Sequence, residues 1–247
     1  MITAASNSRI KRLVQLNQKS KLRRTEDVFL AEGVKMFLEA PREQLQEVYV
    51  SESFLEKCSC REHLEEVGYE VVSDSVFSKI SDTCTPQGVL CVLKQFHYNI
   101  EEMLRDKAPL FLLLENIQDP GNLGTMLRTG EGAGVSGIIM SRDTVDLYNP
   151  KVIRSTMGSI YRVPFYYADD FAAAVHQVQQ AGVSVYAAHL RGKNSYACQD
   201  YTKGTAFLIG NEGNGLREET AELADCYIRI PMEGKVESLN AAVASSI

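Results

Sequence analysis

The chain is predicted to be an α/β protein of two domains, the larger built on a mostly parallel sheet. Short apolar runs bounded by Gly, Pro, Asn and Ser alternate along it with segments of helical periodicity. One run, PLFLLLEN, is almost continuously apolar, as a strand covered on both faces must be. The last two runs, AFLIG and YIRI, lead straight into polar loops, within TAFLIGNEGNGL (205–216) and YIRIPMEGKVESLN (227–240). Loops leaving strands at their carboxyl ends present polar groups over a rigid floor, and open α/β sheets bind ligands there.

The 247 residues suffice for one large or two modest cores, and 45% apolar with 23% charged residues is an ordinary globular balance. The opening MITAASNSRIKRLV lacks a signal-peptide run, and no stretch has the roughly twenty apolar residues of a membrane helix, so a cytoplasmic protein is expected. The six cysteines, at 58, 60, 84, 91, 198 and 226, form no C-x-x-C pair and are expected as reduced thiols. Cys58 and Cys60 with His63 lack a fourth ligand at finger-like spacing, and no metal is expected.

Within SNSRIKRLVQL, Ile10, Leu13, Val14 and Leu16 fall at helical spacing, predicting an amphipathic helix with a basic outer face. FLAEGVKMFLEA (29–40) predicts a strand or turn entering a helix that Pro41 stops. VYVSESF is a strand and turn, FLEKCSCREHLEEVG a charged helix ending at Gly68, and YEVVSDSVFSKIS a strand and short helix. TPQGVLCVLKQF closes this first domain, residues 1–98, with a turn and strand; the polar segment 99–108 is the expected linker, and 109–247 the second domain.

After PLFLLLEN, Asp119, Pro120 and Gly121 form a turn and a helix starts near Asn122. Leu123, Leu127 and Gly130 mark its inward face, and Arg128 shares the opposite one with Gly124, Thr125 and Gly132. Small neighbours leave that guanidinium room to reach a phosphate or substrate oxygen, although a surface arginine on a helix is the commoner case. Gly132, Gly134 and Gly137 have the G-x-G-x-x-G spacing of a dinucleotide turn, but they end a helix and lead into the strand GIIMS, which argues against a nicotinamide-dependent oxidoreductase. The alternation continues through a helix near NPKVIRSTMGS, strand YRVPF, helix FAAAVHQVQQAG, strand VSVYAAHL, the AFLIG strand, helix LREETAELA, the YIRI strand and a closing helix LNAAVASSI. His189 lies on the loop edge after VSVYAA.

Asn211, Glu212, Ser238 and Asn240, spread over the two C-terminal loops, suit a binding site, while Gly213 and Gly215 also fit plain turns and Ser238 a helix cap. The net charge is −6, yet Arg9, Lys11, Arg12, Lys19, Lys21, Arg23 and Arg24 occupy residues 1–24 without an acid, so the remainder carries −13. Such an arm fits either a polyanion contact or a solvated helix face.

The second domain resembles the SpoU (TrmH-type) family of RNA ribose 2′-O-methyltransferases, whose three motifs stand in order as NLGTMLRTGEGAG (122–134), IGNEGNGL (209–216) and IPMEGKVESLNAAVA (230–244). SRIKRLVQL, FLAEGVKM and TPQGVL in the first domain look like pieces of the L30e-like substrate-binding module that precedes many SpoU domains. The resemblance implies a SPOUT-type α/β knot, a trefoil-knotted and mostly parallel sheet, with S-adenosyl-L-methionine as methyl donor and a homodimer with active sites near the subunit interface. It matches Asn122, Arg128, Glu212, Ser238 and Asn240 to catalytic or site-organising positions, and Gly210, Ile230 and Leu239 to positions whose backbone holds the cofactor. Asn211, Gly213, Ala188, His189, Pro231 and Met232 flank these and are expected in the same pocket. In this light the seven arm cations, with Arg154, become the expected RNA contacts, and Glu212 is expected to orient Arg128 by a charge-assisted pair. The implied substrate is RNA, large-subunit (23S) rRNA being favoured; a tRNA methyltransferase and a non-catalytic RNA-binding protein are the alternatives. The final helix stops at Ile247, where family members usually continue for several more residues.

Overall fold

The computed structural model describes residues 1–236 and 238–247. The chain forms two compact units: Met1–Phe96 with Asp146–Tyr161, and His97–Val145 with Arg162–Ile247.

The first unit holds strands β1 (Val28–Glu32), β2 (Leu45–Ser51), β3 (Glu70–Val72) and β4 (Val89–Lys94) in the order β1-β4-β2-β3. β4 is antiparallel to both neighbours, and β3 is parallel to β2. The helix Ser8–Gln18 starts on an Asn7 cap and turns Ile10, Leu13 and Leu16 into a core with Leu30, Tyr49, Val76, Phe77 and Val92. A second helix, Ser20–Glu26, follows it, ending on Asp27 in the left-handed region (φ 55°).

This second helix corrects the expectation for Arg23, which is 3% exposed. Its guanidinium donates to Leu16 O (2.6 Å) and Asn17 O (3.2 Å) and pairs with Asp146 (2.5 Å), while its Nε is buried without a partner. Arg23 thus closes the C-terminal end of the first helix and cannot also face a phosphate. The charged helix expected over residues 54–68 is two helices, Glu52–Lys57 and Arg61–Val67, because the poor helix formers Cys58-Ser59-Cys60 sit between them and Cys58 is extended.

Segment Asp146–Tyr161 completes this unit. Tyr148 packs on Phe29 (ring centroids 4.8 Å apart) and accepts from Phe96 N (2.6 Å), and Tyr161 donates to Met36 O (2.9 Å). Where a strand YRVPF was expected, residues 159–161 form a 3-10 turn and the strand starts only after Pro164, whose missing N–H leaves no donor for a ladder.

The second unit is built on β5 (Leu110–Leu114), β6 (Gly137–Ser141), β7 (Phe165–Ala168), β8 (Ser184–Ala188), β9 (Asn194–Ser195), β10 (Thr205–Ile209) and β11 (Cys226–Arg229). They make one seven-stranded sheet, β7-β6-β5-β10-β8-β11-β9, with every pair parallel. The apolar runs of β5, β8 and β10 carry its core, with Phe111, Leu113, Val185, Ala187, Ala206 and Leu208 buried. Residues 99–108 hold a helical turn, Ile100–Met103, capped by Asn99, and its Ile100 and Met103 enter the same core.

From β5 the chain runs outward through β6 and β7, then returns to build β8, β10 and β11 on the other side. The direction therefore switches between β5 and β10, and ligand crevices of parallel sheets open at such a point. Helix Pro120–Ala133 starts there on the Asp119 cap, with Pro120 in its first turn, and ends at Gly134 in the left-handed region (φ 74°). The G-x-G-x-x-G spacing thus lies at a helix C-terminus. Among the described residues no helix is long and apolar enough to cross a membrane, and no group of three or more His, Cys, Asp or Glu is placed to hold a metal.

Candidate active site

Because the strands are parallel, the segments after β5, β8, β10 and β11 emerge on one edge. The segment after β10, residues 210–216, is a closed loop: Asn211 N donates to Gly215 O (3.0 Å) and Gly215 N to Asn211 O (2.9 Å). Its two ends touch, since a Cβ on Gly210 would stand 2.2 Å from Gly215 C and Leu216 N, which only glycine avoids.

Side chains anchor the loop to the segment after β5. Asn211 Nδ2 donates to Asn116 O (2.8 Å), and Asn211 Oδ1 accepts from Gly213 N (2.9 Å) and Asn214 N (3.0 Å). Glu212 accepts from Gln118 N (3.1 Å), Asp119 N (3.0 Å) and Asn122 Nδ2 (3.0 Å). Asn122 Oδ1 in turn accepts from Asn240 Nδ2 (3.0 Å), and Asn240 Oδ1 caps the last helix, Ala241–Ala244, at Ala242 N (2.9 Å) and Val243 N (3.2 Å). Three of the expected catalytic residues thus form one chain, Glu212–Asn122–Asn240, joining three sequence-distant segments.

Burial alone would raise the Glu212 carboxyl, but the bonds from Asn122, Asp119 and Gln118 outweigh it and hold the group below its ordinary range. The expected pairing with Arg128 does not form: the Glu212 carboxylate is turned toward the donors at the helix start instead. Arg128 lies six residues on, about 9 Å along the helix axis. It is exposed and, among the described residues, makes no hydrogen bond or ion pair. Gly124, expected beside it, is buried on the core side, leaving Thr125 and Gly132 as its exposed neighbours.

Behind the loop lies a cavity of about 310 Å³, lined by Ala188, His189, Gly210, Asn211, Gly213, Ile230, Met232 and Leu239 among the expected cofactor residues, together with Ser238. Pro231 is exposed and does not line it. The cavity suits a ligand with an apolar part and polar ends: Ile209, Leu216, Ile228 and Leu239 supply apolar walls, and the strand ends supply backbone groups. Ser238 does not cap the last helix, a place Asn240 takes. On the wall, Arg191 N donates to His189 Nδ1 (3.1 Å), which places the proton of the neutral ring on Nε2, and the ring packs on Tyr227 (5.1 Å). Burial, with the charge of Arg191, pushes the His189 pKa down. In front of the loop, the polar side chains of Gln118, Asp119, Asn122, Glu212 and Asn240 border a wide, shallow groove.

Of the remaining arm cations, Lys11, Lys19, Lys21 and Arg24 are exposed and have no ion pair among the described residues. Arg9 pairs with Glu70 (2.9 Å), Arg12 with Glu26 and Glu47 (2.7 Å each), and Arg154 with Asp82 (3.2 Å). Sequence reasoning missed Glu115, Asn116 and Gln118. Glu115 stands immediately after the apolar strand β5 and is 1% exposed. Asn116 takes the left-handed conformation (φ 54°), tolerated best by Asn among residues with a Cβ, and turns its carbonyl to Asn211.

Residues 109–247 match the model of the SpoU rRNA Methylase family, and residues 7–91 that of the MRM3-like substrate binding domain. The chain is 32% identical, over its whole length and 96% of the relative, to the 23S rRNA (guanosine(2553)-2′-O)-methyltransferase RlmP of Bacillus subtilis. It is 30% identical to the 23S rRNA (guanosine-2′-O-)-methyltransferase RlmB of Neisseria meningitidis, over 68% of this chain and 69% of that one. Its fold is similar to the AdoMet-bound rRNA methyltransferase from Sinorhizobium meliloti (TM-score 0.84, 30% identity, 99% of this chain and 94% of the other). It is similar also to the SpoU methyltransferase AviRb from Streptomyces viridochromogenes in complex with AdoMet (TM-score 0.87, 25% identity, 97% and 94% covered).

Proposed function

The chain belongs to the SpoU rRNA methylase family, and we propose that it transfers a methyl group from S-adenosylmethionine to a ribose 2′-hydroxyl of 23S rRNA. The observation that carries this reading is the hydrogen-bonded chain Glu212–Asn122–Asn240, standing between an apolar-walled cavity and a wide, shallow groove. The cavity takes the methyl donor and the groove the ribose.

When bound, the donor supplies a methyl carbon activated by its sulfonium, so the protein has to orient the two partners and manage one proton. Orientation alone lowers such a barrier by on the order of 7 kcal/mol. The role of Glu212, Asn122 and Asn240 is to hold the loop, the helix start and the last helix in one register. Ser238 and the backbone of Gly210, Ile230 and Leu239 bind the donor. Arg128, a permanent cation and therefore a poor proton acceptor, binds a neighbouring phosphate or stabilises the developing alkoxide. The four free arm cations hold RNA backbone.

The same reading carries over a cytoplasmic homodimer and the family's knot. A partner copy is supported by a groove of about 450 Å³ lined by Leu110, Tyr196, Tyr201, Phe207 and Ile247, with Val243 half exposed nearby. The knot is supported by β10 standing between β5 and β8, an order in which a late strand joins the middle of the sheet after its neighbours in the sheet have been laid down. Transfer from labelled S-adenosylmethionine to rRNA and tRNA lacking the modification, with mapping of the methylated ribose, tests the function. One labelled 2′-O-methyl ribose in 23S rRNA is expected, and the counterpart of guanosine 2553 is the first nucleotide to inspect. Label in tRNA alone, or no transfer by protein that binds the donor, overturns it.

A further inference from the structure

Glu115 directly follows β5 and has no part in the chemistry above, yet it is 1% exposed. A carboxylate is costly to bury unless its oxygens are partnered. Its partners all lie on one short stretch just beyond the closed loop. Arg217 N donates to Oε2 (2.8 Å), the buried Thr220 hydroxyl donates to Oε1 (2.5 Å), and the Arg217 guanidinium stands 3.8 Å from Oε1. That guanidinium also pairs with Asp143, just past the end of β6.

The loop between is locked within itself by the Asn211–Gly215 pair, so it can pivot as a rigid body unless both its ends are fixed. Asn211 and Glu212 fix the entering end, through Asn116, Gln118, Asp119 and Asn122. The leaving end, Leu216–Arg217, has Glu115 and Asp143. Leu216 is buried and lines the 310 Å³ cavity, so any shift of this end changes the cavity wall directly.

We propose that Glu115 is a positioning residue that pins the leaving end of the 210–216 loop and so sets the shape of the donor cavity, an inference resting on the proposed assignment of that cavity to S-adenosylmethionine. A carboxylate suits the task because its two oxygens accept from two donors at once, one on each. Glutamine keeps one acceptor for Arg217 N and offers its amide to the Thr220 oxygen, whereas leucine leaves both donors unpaired, the Thr220 hydroxyl buried and Arg217 N partly so.

The test compares Glu115→Leu and Glu115→Gln with the unsubstituted protein by calorimetric titration of S-adenosylmethionine and by amide hydrogen exchange of the free proteins. In Glu115→Leu the donor Kd is expected to rise about 10-fold or more, and the amides of 211–217 to exchange faster while those of β5 and β6 do not. Glu115→Gln should stay within about 3-fold of the unsubstituted protein. Leu-variant binding within about 2-fold and unchanged loop exchange overturn the proposal, whatever the melting temperature does. Hydrogen exchange needs no donor: an unsubstituted protein that fails to bind S-adenosylmethionine refutes the function, while the exchange pattern still decides the anchoring. If Glu115→Leu does not fold, Thr220→Val removes one donor at nearly constant volume. Faster loop exchange is then expected, and its absence overturns the proposal.

Discussion

Asn122 is the joint between the loop after β10 and the last helix, so its replacement gives a magnitude that can be worked out. Asn122→Ala removes a bond to the Glu212 carboxylate (3.0 Å) and one to Asn240 (3.0 Å). The first is charge-assisted and partly buried, contributing about 1.5–3 kcal/mol; the second is neutral and exposed, near about 0.5 kcal/mol. Together they hold the site by about 2–3.5 kcal/mol, which corresponds to a loss of about 30- to 400-fold in kcat/KM. Asn122→Asp is nearly isosteric but sets a second carboxylate against Glu212. At neutral pH it is expected to be at least as impaired as alanine, although its charge at the helix start favours the helix by about 0.3–1 kcal/mol and keeps the fold stable. The assay is single-turnover methyl transfer to unmodified 23S rRNA beside thermal unfolding of the same proteins. An aspartate variant as active as the unsubstituted protein would refute the role of the Glu212–Asn122 bond.

Arg128→Ala should lower turnover at least about 100-fold with donor Kd within about 2-fold, since the side chain lines neither cavity; a matching loss of donor affinity reassigns it. Replacing Lys11, Lys19, Lys21 and Arg24 with alanine should remove a salt slope of up to about −3 in log Kobs against log salt for single-stranded RNA, with little change in unfolding. Arg23→Met should do the opposite, destabilising the first unit by about 2–3 kcal/mol in urea unfolding while sparing the salt slope, because Asp146 is left a quarter exposed and unpaired. Gly210→Ala should abolish donor binding in titration, its Cβ lying 2.2 Å from backbone atoms that cannot yield. Glu212 has a lowered folded pKa, so its contribution to stability is full above the ordinary glutamate value and is lost as pH falls through the folded one; urea unfolding of Glu212→Gln should lack that acid limb.

Apolar runs and helix punctuation made much of the second unit legible. LFLLL could only be a covered strand, and Asp-Pro before a periodic stretch with a glycine after it marked both ends of the helix Pro120–Ala133. That the two C-terminal loops share one edge followed as well, because parallel strands send their loops there; the individual lining residues came from the family resemblance. Sidedness on a helix, however, says which residues face the same way and not which partner wins. Glu212 had Arg128 as a plausible partner on charge alone, and the N–H groups freed by the Asp119 turn took it instead, being closer and fixed. Glu115 did carry a signal, a lone charge closing an apolar strand, which a buried-charge argument turns into a demand for partners elsewhere. The arm shows the same lesson from the other side. A run of basic residues counts the cations present, while pairing across the fold, as far as the 123 residues between Arg23 and Asp146, decides how many are free. Seven cations in the sequence become four that face solvent unpaired among the described residues, and that smaller number sets the expected strength of the RNA contact.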